Sequence, residues 1–359
     1  MNNKILLIAT RQIGDVLLVT PLLRSLRKAY SKAIIDVLVY ENKGEILVGN
    51  PDYNKLITIT EHPSFTEYKI LFKQIFNHYD LAISTLSGDR PLFYAMLAAS
   101  KRVAIVPQKR WQDGWKRLLT HAWTEIDDNY TPTVIQNLRL ADLLDIPRCY
   151  EIVVPQLNDS ATILDKLLPF KWQQTSFAVL HLLPLRHYKR WTVAGWRDLI
   201  QYLLNKKIYV ILTGGNDAEE LKYINHVKLN MPNTVINVAG KLRFAEVAKL
   251  IKTSKIYVGP DTSITHLAAA TGTPTIALFG PTNPQKWGPW PYNYNSEIAF
   301  QRQGNQWINN VFLIQGAGDC VPCHQEGCDR HRQSGSRCLE ELDSNAVIKV
   351  VENMLLCEL

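Results

Sequence analysis

The sequence predicts an α/β protein built from two parallel-sheet domains. Short apolar strands alternate with amphipathic helices up to residue 145, and the alternation restarts after a stretch at 147–155 that two prolines bracket. Such an alternation is typical of a parallel sheet covered by helices on both faces. Polar residues and glycines gather directly after the strands, which is the edge where ligands of such sheets bind.

The first half supplies five of the expected strands, each a short run rich in branched apolar residues. We expect these strands at 4–10, 34–40, 55–60, 80–85 and 102–107. We expect a short helix after the second strand and longer helices at about 16–30, 66–78, 90–99 and 133–145.

The second half repeats the pattern, with strands at 177–184, 208–215, 234–240, 255–259 and 273–280. We therefore expect one Rossmann-like domain over residues 1–150 and a second over residues 151–343. The second domain includes a Cys-rich segment at 320–338. The final residues, 344–359, form an amphipathic helix that the sequence allows to cross back to the first domain.

The composition limits which classes of protein and which partners are possible. The chain has 359 residues, of which 46% are hydrophobic, so it can bury two cores. No apolar run reaches the roughly 20 residues of a membrane-spanning helix, and the N-terminus lacks the cleavage site of a signal peptide. We therefore expect a cytoplasmic protein. The net charge of +7 favours anionic partners: phosphates, nucleic acid or an acidic membrane surface.

The segment VGPDTSITHLAAATGTPTIALFGPTNP at 258–284 indicates a binding site for an anion. A strand ends in Gly-Pro, and Asp261 or Thr262 is placed to cap the helix that follows. The N–H groups and dipole of a helix N-terminus favour anions, and Ser263 and His266 add polar side chains. The alternative interpretation is a well-capped helix whose histidine faces solvent.

Three further signals follow strands. PLRHYKRW at 184–191 places Lys189 where a phosphate can bind, or it forms a solvated basic loop. TGGNDAEE at 213–220 opens a helix with acids that suit either the helix dipole or a ribose diol. In RQIGDV at 11–16, Asp15 is either a helix N-cap or an acid at the mouth of the first sheet. Together they favour a nucleotide diphosphate on the second domain and an acid on the first.

Three common motifs are missing. The sequence has no G-x-G-x-x-G, which argues against a dinucleotide dehydrogenase, and no P-loop motif. It also has no Asp-x-Asp pair to clamp a metal ion on a diphosphate. We therefore expect that no cofactor is required and that lysine, hydroxyls and helix dipoles balance the phosphate charge.

The order of these motifs resembles glycosyltransferase family 9, the bacterial heptosyltransferases of the lipopolysaccharide inner core. The segment at 258–284 resembles the signature of that family, and ATRQIGDVLLVTPLLRSLRKAY resembles its N-terminal G-D-x-x-x-x-x-P opening. The resemblance covers essentially the whole chain. Two other stretches, IDVLVYENKGEILVGNPDYNKLI and NPQKWGPWPYN, resemble the heptosyltransferase III branch.

The resemblance implies a GT-B fold, in which two Rossmann-like domains face a cleft, and an inverting transfer of heptose from ADP-L-glycero-D-manno-heptose. By position, Asp15 matches the proposed general base of the family, Lys189 a donor-phosphate contact and Glu219 an acid near the ribose. Ser263 departs from the family, in which glycine or alanine is frequent at this position. The matching donor-binding segment comprises Asp261, Thr262, Ser263, Ile264 and His266.

The implied chemistry agrees with the residues. An acceptor hydroxyl is a poor nucleophile, so Asp15 would take its proton as it attacks an oxocarbenium-like anomeric carbon. Lys189 and the helix terminus at 262–265 would stabilise the leaving ADP. The expected partners are the nucleotide-sugar donor and a phosphorylated lipid A–core acceptor. We expect a monomer in peripheral contact with the anionic cytoplasmic face of the inner membrane.

The segment KRVAIVPQKRWQDGWKRLL at 101–119 interleaves six Lys and Arg residues with two tryptophans. It suits a phosphorylated acceptor at a membrane surface, a nucleic-acid track with stacking aromatic residues, or a solvated basic face. The family context favours the first, and we expect no nucleic-acid partner. The acceptor-binding candidates are Arg11, Gly14, Lys109, Arg110, Trp111 and Lys116.

The Cys-rich segment contains four cysteines, and its C-x2-C start permits zinc. The later spacings are not those of a regular finger or ribbon, and a disulfide framework does not suit a reducing compartment. We expect no bound metal. The candidate ligands, if a metal is bound, are Cys320, Cys323, Cys328 and Cys338.

Two other functions remain open from the sequence. A GT-B-like sugar-nucleotide epimerase would release an epimerised product without any acceptor. A non-enzymatic nucleotide- or nucleic-acid-binding protein would bind its ligand and turn over nothing.

Overall fold

The chain folds into two compact units, Met1–Pro155 and Gln156–Leu359. The computed structural model describes residues 4–108, 113–331 and 333–356. Each unit contains one mainly parallel sheet with the helices that pack on it, so the predicted α/β class is confirmed. The division falls at Pro155, the residue that closes the predicted linker.

The first unit has a six-stranded parallel sheet in the order β3-β2-β1-β4-β5-β6. The strands are β1 Lys4–Ile8, β2 Ile34–Tyr40, β3 Lys55–Ile59, β4 Tyr79–Ser84, β5 Ala99–Val106 and β6 Ala122–Glu125. The helices are α1 Ile13–Leu17, α2 Thr20–Ala29, α3 Phe65–Ile75, α4 Asp89–Ala98, α5 Gly114–Leu118 and α6 Thr133–Asp142, with a 3-10 turn at Gly44–Leu47.

The second unit has a seven-stranded sheet in the order β12-β13-β11-β10-β7-β8-β9, in which β12 and β13 pair antiparallel. The strands are β7 Phe177–His181, β8 Tyr209–Thr213, β9 Val235–Asn237, β10 Ile256–Pro260, β11 Thr275–Phe279, β12 Gln306–Ile308 and β13 Val311–Gln315. The helices are α7 Ser160–Leu167, α8 Val193–Asn205, α9 Ala218–Lys228, α10 Phe244–Thr253, α11 Ser263–Ala270, α12 Pro284–Trp287, α13 Arg337–Glu340 and α14 Ser344–Leu356, with a 3-10 turn at His187–Lys189.

The structure differs from the sequence expectations in several elements, and β6, α5 and α7 are not among those predicted. The single helix expected at about 16–30 is two helices, α1 and α2, and Pro21 lies in the first turn of α2, where its missing N–H is tolerated. The β12–β13 hairpin is not among the predicted elements. Its strands are short, and its two-residue turn places Asn309 at a φ of 49°, a conformation that asparagine tolerates.

The C-terminal helix α14 completes the core of the second unit. It packs against α8 and buries Val347, Val351 and Met354 among the apolar residues of that unit. The sequence allowed this helix to cross back to the first domain; its apolar face instead lies in the second unit. Among the described residues, no helix has the length and apolar character needed to cross a membrane.

Trp191 is the last residue of the segment PLRHYKRW at 184–191, the basic motif, and it anchors that motif in the second unit. Its ring is 2% exposed and lies edge-on to Trp196, with ring centroids 4.9 Å apart, and its indole N–H donates to the carbonyl oxygen of Leu342. Gly195, in the first turn of α8, lies directly against this ring. A Cβ atom at Gly195 would lie 2.4 Å from the indole, so only glycine lets the helix approach the ring so closely.

We therefore expect Gly195→Ala to lower the thermal midpoint of the protein, because the methyl group must displace a buried tryptophan. Overpacking of this kind costs about 1–3 kcal/mol. Gly114→Ala is the matched control, since a Cβ at this position, in another helix, α5, meets nothing within 4 Å among the described residues. The control should keep or slightly raise the midpoint. Equal midpoints for Gly195→Ala and wild type would show that the ring does not constrain this position.

Candidate functional site

The carboxyl ends of three strands in the second unit bring the predicted donor residues together. Lys189 follows β7 and Asp261 follows β10, and these two strands are neighbours in the sheet. The Lys189 ammonium nitrogen lies 2.5 Å from a carboxylate oxygen of Asp261, whose side chain is only 7% exposed. Two motifs that are 72 residues apart in sequence therefore meet in one largely shielded ion pair.

A second group of charges joins the same basic motif to the start of α9. Arg190 donates to a carboxylate oxygen of Glu219 at 3.0 Å, and a His187 ring nitrogen lies 3.2 Å from the same oxygen. The Glu219 side chain is 61% exposed. Asp217 is the N-cap of α9 and accepts from two backbone N–H groups. Asp217 thus has the structural capping role, whereas Glu219 presents its carboxylate to solvent beside two basic side chains.

The N-terminus of α11 follows Asp261 directly. Thr262 is the N-cap, and its hydroxyl accepts from the backbone N–H of Thr265. Ser263 is half-buried at the first helical position, and Ile264 is buried. The Thr265 hydroxyl donates to the carbonyl oxygen of Pro260, so it closes the turn between strand and helix. Amide N–H groups of a first helical turn have no helical acceptor, and this end of α11 therefore favours an anion.

His266 is buried in α11, which makes the alternative of a solvent-facing histidine wrong. Burial lowers the pKa of His266 to about 4; among nearby charges, Asp261 raises it and Lys189 lowers it. The imidazole is therefore neutral near pH 7. Its Nδ1 atom is buried and has no hydrogen-bond partner among the described residues. The ring is thus a neutral group near the Lys189–Asp261 pair, with one buried nitrogen that the described residues leave unused.

The ion pair borders a cavity of about 330 Å³ in the second unit, which falls within the usual size range of ligand pockets. Its lining residues are Tyr188, Lys189, Asp261, Pro281, Thr282, Asn283, Trp287, His324 and Gln325. Only Lys189 and Asp261 of these are site residues predicted from the sequence, although Tyr188 and residues 281–283 lie within the segments at 184–191 and 258–284. The strand-end rule already pointed to 281–283, since those residues follow β11.

His324 and Gln325 belong to the Cys-rich segment, which no sequence signal connects to the pocket. The backbone N–H of His324 donates to the carbonyl oxygen of Pro281 at 2.9 Å and so attaches the segment to the loop after β11. A Cβ at Gly280 would lie 3.2 Å from the Cys338 sulfur, and a Cβ at Gly316 would lie 2.0 Å from the Cys338 carbonyl oxygen. The segment therefore packs tightly on the ends of β11 and β13.

The four candidate metal ligands of this segment are free cysteines. Burial raises the pKa of the Cys338 thiol to about 11, and the three neighbouring cysteines act in the same direction. Within residues 4–108, 113–331 and 333–356, no group of three or more His, Cys, Asp or Glu side chains is placed to hold a metal ion.

In the first unit, Asp15 lies in the first turn of α1. Gln12, not Asp15, occupies the N-cap position, so the capping alternative for Asp15 is wrong. The Arg11 side-chain Nε lies 3.6 Å from the Asp15 carboxylate. Asp15 lines a small cavity at the carboxyl edge of the sheet, together with Ala9, Arg11, Val19, Thr85, Thr133 and Asn137.

The remaining acceptor candidates have different surroundings. Gly14 lies within α1, beside Asp15. Lys116 is buried, and its ammonium lies 2.7 Å from Asp89 and 2.9 Å from Asp113. Burial lowers the pKa of Lys116, but the two carboxylates outweigh it and raise the pKa above its ordinary value. An acceptor phosphate would have to compete with both carboxylates. Lys109, Arg110 and Trp111 lie outside the described residues.

Comparison with known proteins identifies the family. The model of glycosyltransferase family 9 (heptosyltransferase) matches residues 92–306, which is more than half of the chain. Lipopolysaccharide heptosyltransferase 3 of Escherichia coli K12 is 30% identical over 292 residues, covering 79% of this chain and 84% of that protein. This relative agrees with the heptosyltransferase III branch that the sequence resembles.

Solved structures share the fold over almost the whole chain. A family 9 glycosyltransferase of Veillonella parvula superposes with a TM-score of 0.79 at 16% identity, covering 99% of this chain and 97% of that one. An E. coli heptosyltransferase solved with ADP-2-deoxy-2-fluoro heptose superposes with a TM-score of 0.70 at 19% identity, covering 98% and 99%. The predicted GT-B fold is thereby confirmed, and the chain, a glycosyltransferase, belongs to glycosyltransferase family 9, the heptosyltransferase family.

Proposed function

We propose that the protein transfers heptose, with inversion, from ADP-L-glycero-D-manno-heptose to a sugar of the lipopolysaccharide inner core. The observation that carries the proposal is the Lys189–Asp261 pair, which lies at the N-terminus of α11 and borders a cavity of about 330 Å³. Two relatives support the substrates. One is named a lipopolysaccharide heptosyltransferase, and the other was solved with an ADP-heptose analogue.

The donor diphosphate is proposed to bind between Lys189 and the first turn of α11. The ammonium supplies a full positive charge, and the helix N-terminus supplies N–H donors and a partial positive charge. Asp261 holds the ammonium at this position before the donor arrives, so little side-chain entropy is lost on binding. As the bond to the sugar breaks, negative charge grows on ADP, and the same groups stabilise it.

Glu219 is proposed to accept hydrogen bonds from the ribose hydroxyls. Its carboxylate is exposed, and a diol is a suitable donor pair for it. Arg190 and His187 hold the carboxylate at the start of α9. This helix follows β8, which is the neighbour of β7, the strand that precedes Lys189. His266 is proposed to contact the donor as a neutral imidazole, since its buried Nδ1 atom is otherwise unused.

Asp15 is proposed as the general base. It removes the proton from the acceptor hydroxyl while the oxygen attacks the anomeric carbon of heptose, and ADP leaves from the opposite face. Two observations support this role. Asp15 does not cap its helix, and its carboxylate borders a cavity at the carboxyl edge of the first sheet.

The acceptor is proposed to be a phosphorylated lipid A–core molecule, with the protein acting as a monomer at the cytoplasmic face of the inner membrane. Arg11 and the basic residues of the segment at 101–119, apart from Lys116, which two carboxylates hold, are the proposed phosphate contacts. Incubation with ADP-heptose and truncated core lipopolysaccharide tests the whole proposal. Heptose in the lipopolysaccharide supports it, whereas epimerised free product or binding without turnover would contradict it.

We expect Asp15→Asn to slow transfer by about 10²–10⁴-fold, because asparagine keeps the size of the side chain but cannot accept the proton. The affinity for ADP, measured by calorimetry, should stay within about twofold of wild type. Asp145→Asn is the matched control: Asp145 is exposed in the same unit at a φ of 54°, which asparagine adopts readily. Near-normal turnover of Asp15→Asn would rule out Asp15 as the base.

We expect Lys189→Ala to weaken ADP binding by about 1.5–3 kcal/mol, the usual value of a charge-assisted contact. The variant also leaves Asp261 without its cation, so the double variant Lys189→Ala/Asp261→Asn is needed. The double variant should regain thermal stability without regaining ADP affinity. Lys222→Ala, an exposed lysine on α9, is the control. If the double variant binds ADP like wild type, Lys189 has no direct role at the donor.

We expect dialysis against EDTA to leave the transfer rate essentially unchanged, because Lys189 and the α11 N-terminus supply the charge that a metal would supply at a diphosphate. The rate is measured before dialysis, after it, and after the addition of Mg²⁺ or Zn²⁺. A rate that collapses and returns with one of these ions would show that the donor site or the Cys-rich segment requires a metal.

A further inference from the structure

Most of the large apolar side chains that the first unit exposes lie on three of its helices. Among the described residues of this unit, the exposed large apolar side chains are concentrated on α3, α4 and α5 and at the end of α3. They are Phe65, Ile70, Phe72, Phe76, Phe93, Met96, Trp115 and Leu118; Trp123 on the edge strand and Tyr130 in a loop are also exposed. The helices α2 and α6, which pack against each other, contribute none.

The three helices lie side by side. The Arg90 side chain at the start of α4 donates to the carbonyl oxygen of Glu61 just before α3, and the N–H of Asn77 just after α3 donates to the carbonyl oxygen of Leu97. The Lys116–Asp89 ion pair joins α5 to α4. The buried residues of α3 and α4 share one cluster with residues of β1, β2 and β3, so these helices cover the same face of the sheet.

Helix α3 carries the most apolar part of this surface. Phe65, Phe72 and Phe76 are 80%, 41% and 50% exposed. Their spacing of seven and then four residues places them on one stripe of a helix. The rings of Phe72 and Phe76 stack with centroids 4.4 Å apart. Leu71 and Ile75 bury a neighbouring side of the helix in the core, roughly 100° around the helix from the phenylalanines. Helix α3 therefore has two apolar sides, and only one of them is covered within the unit.

The charges on α3 complement an anionic partner. Lys69 lies on the phenylalanine stripe, with its ammonium 5.8 Å from the centre of the Phe65 ring, and Lys73 is exposed one turn further along. Neither lysine has a carboxylate within ion-pair distance in the described part of the chain. The one acid of α3, Glu67, accepts from the N–H and hydroxyl of Ser64 in a capping box.

We propose that the outer surface of α3, α4 and α5 docks on an anionic lipid bilayer, with the phenylalanines of α3 entering the headgroup region and Lys69 and Lys73 contacting acidic headgroups. Aromatic side chains interleaved with lysines on an exposed helix face are typical of interfacial membrane binding. The proposal rests on the proposed function in one respect, since a lipid-linked acceptor lies in such a membrane. It assigns the contact to α3, beyond the basic segment at 101–119.

The test is cosedimentation of the full-length protein with vesicles of phosphatidylethanolamine and phosphatidylglycerol, or of phosphatidylcholine alone. Wild type should bind the anionic vesicles. Phe72→Ser/Phe76→Ser should bind them at least about tenfold more weakly, because two phenylalanine rings that would enter the membrane are lost. Lys69→Gln/Lys73→Gln should weaken binding at low salt and matter less at high salt. No vesicle binding by wild type would overturn the proposal.

The control is Leu229→Ser/Ile298→Ser, which removes two exposed apolar side chains of the second unit. It should bind vesicles like wild type, and all variants should keep the wild-type thermal midpoint. If the control and the phenylalanine variant lose binding equally, the contact is not specific to α3 and the proposal fails.

Two further measurements separate the alternatives. Sedimentation velocity without lipid should give the same species for wild type and Phe72→Ser/Phe76→Ser. A wild-type dimer that this variant dissociates would assign the surface to a second copy of the chain and overturn the proposal. Transfer to a water-soluble truncated acceptor should be unchanged in the variant, whereas transfer to vesicle-bound acceptor should fall. Vesicle binding without any transfer by wild type would refute the proposed function and leave the membrane contact standing.

Discussion

The ion pair between Lys189 and Asp261 is the interaction on which the candidate donor site depends. A lysine and an aspartate 72 residues apart meet because β7 and β10 are adjacent parallel strands whose carboxyl ends share one edge. The aspartate is shielded from water, so loss of the lysine would leave a nearly buried charge without compensation. The pair therefore fixes the loop after β7 relative to the start of α11. Trp191 and Gly195 support the same loop through close packing.

The other polar groups of the second unit fall into two kinds, those whose hydrogen bonds are used within the fold and those proposed for the donor site. Asp217 and Thr262 cap helices, and the Thr265 hydroxyl closes a turn, so their hydrogen bonds are already used. Glu219 is exposed, and the Nδ1 atom of His266 is buried without a partner among the described residues. A preorganised site needs both kinds of residue, because the first kind holds the second in place. The Cys-rich segment contributes by packing against the loop after β11 and placing His324 in the pocket wall.

The first unit contains the carboxylate proposed as the general base and a surface with many exposed apolar side chains. Asp15 lies at the carboxyl edge of the sheet, in a short helix that it does not cap. The helices α3 to α5 expose aromatic and aliphatic side chains, whereas α2 and α6 expose none of comparable size. Packing against the sheet requires apolar residues on only one side of each helix. The second apolar side of α3 therefore needs an explanation outside the core, and a lipid surface provides one for an enzyme whose relatives act on lipopolysaccharide.

The sequence by itself determined the α/β class, the two-domain organisation, most strands and the family, because apolar periodicity and strand-end polar motifs are local signals. It also identified Lys189, Asp261 and Glu219 as a group, since parallel strands end at one edge. Only the tertiary structure decided which polar residues remain available: Lys116 is held by two carboxylates, and His266 is buried and neutral. The pocket position of His324 and the exposed stripe on α3 were also decided there. Burial and pairing depend on contacts between residues far apart in the chain, which periodicity and spacing do not encode.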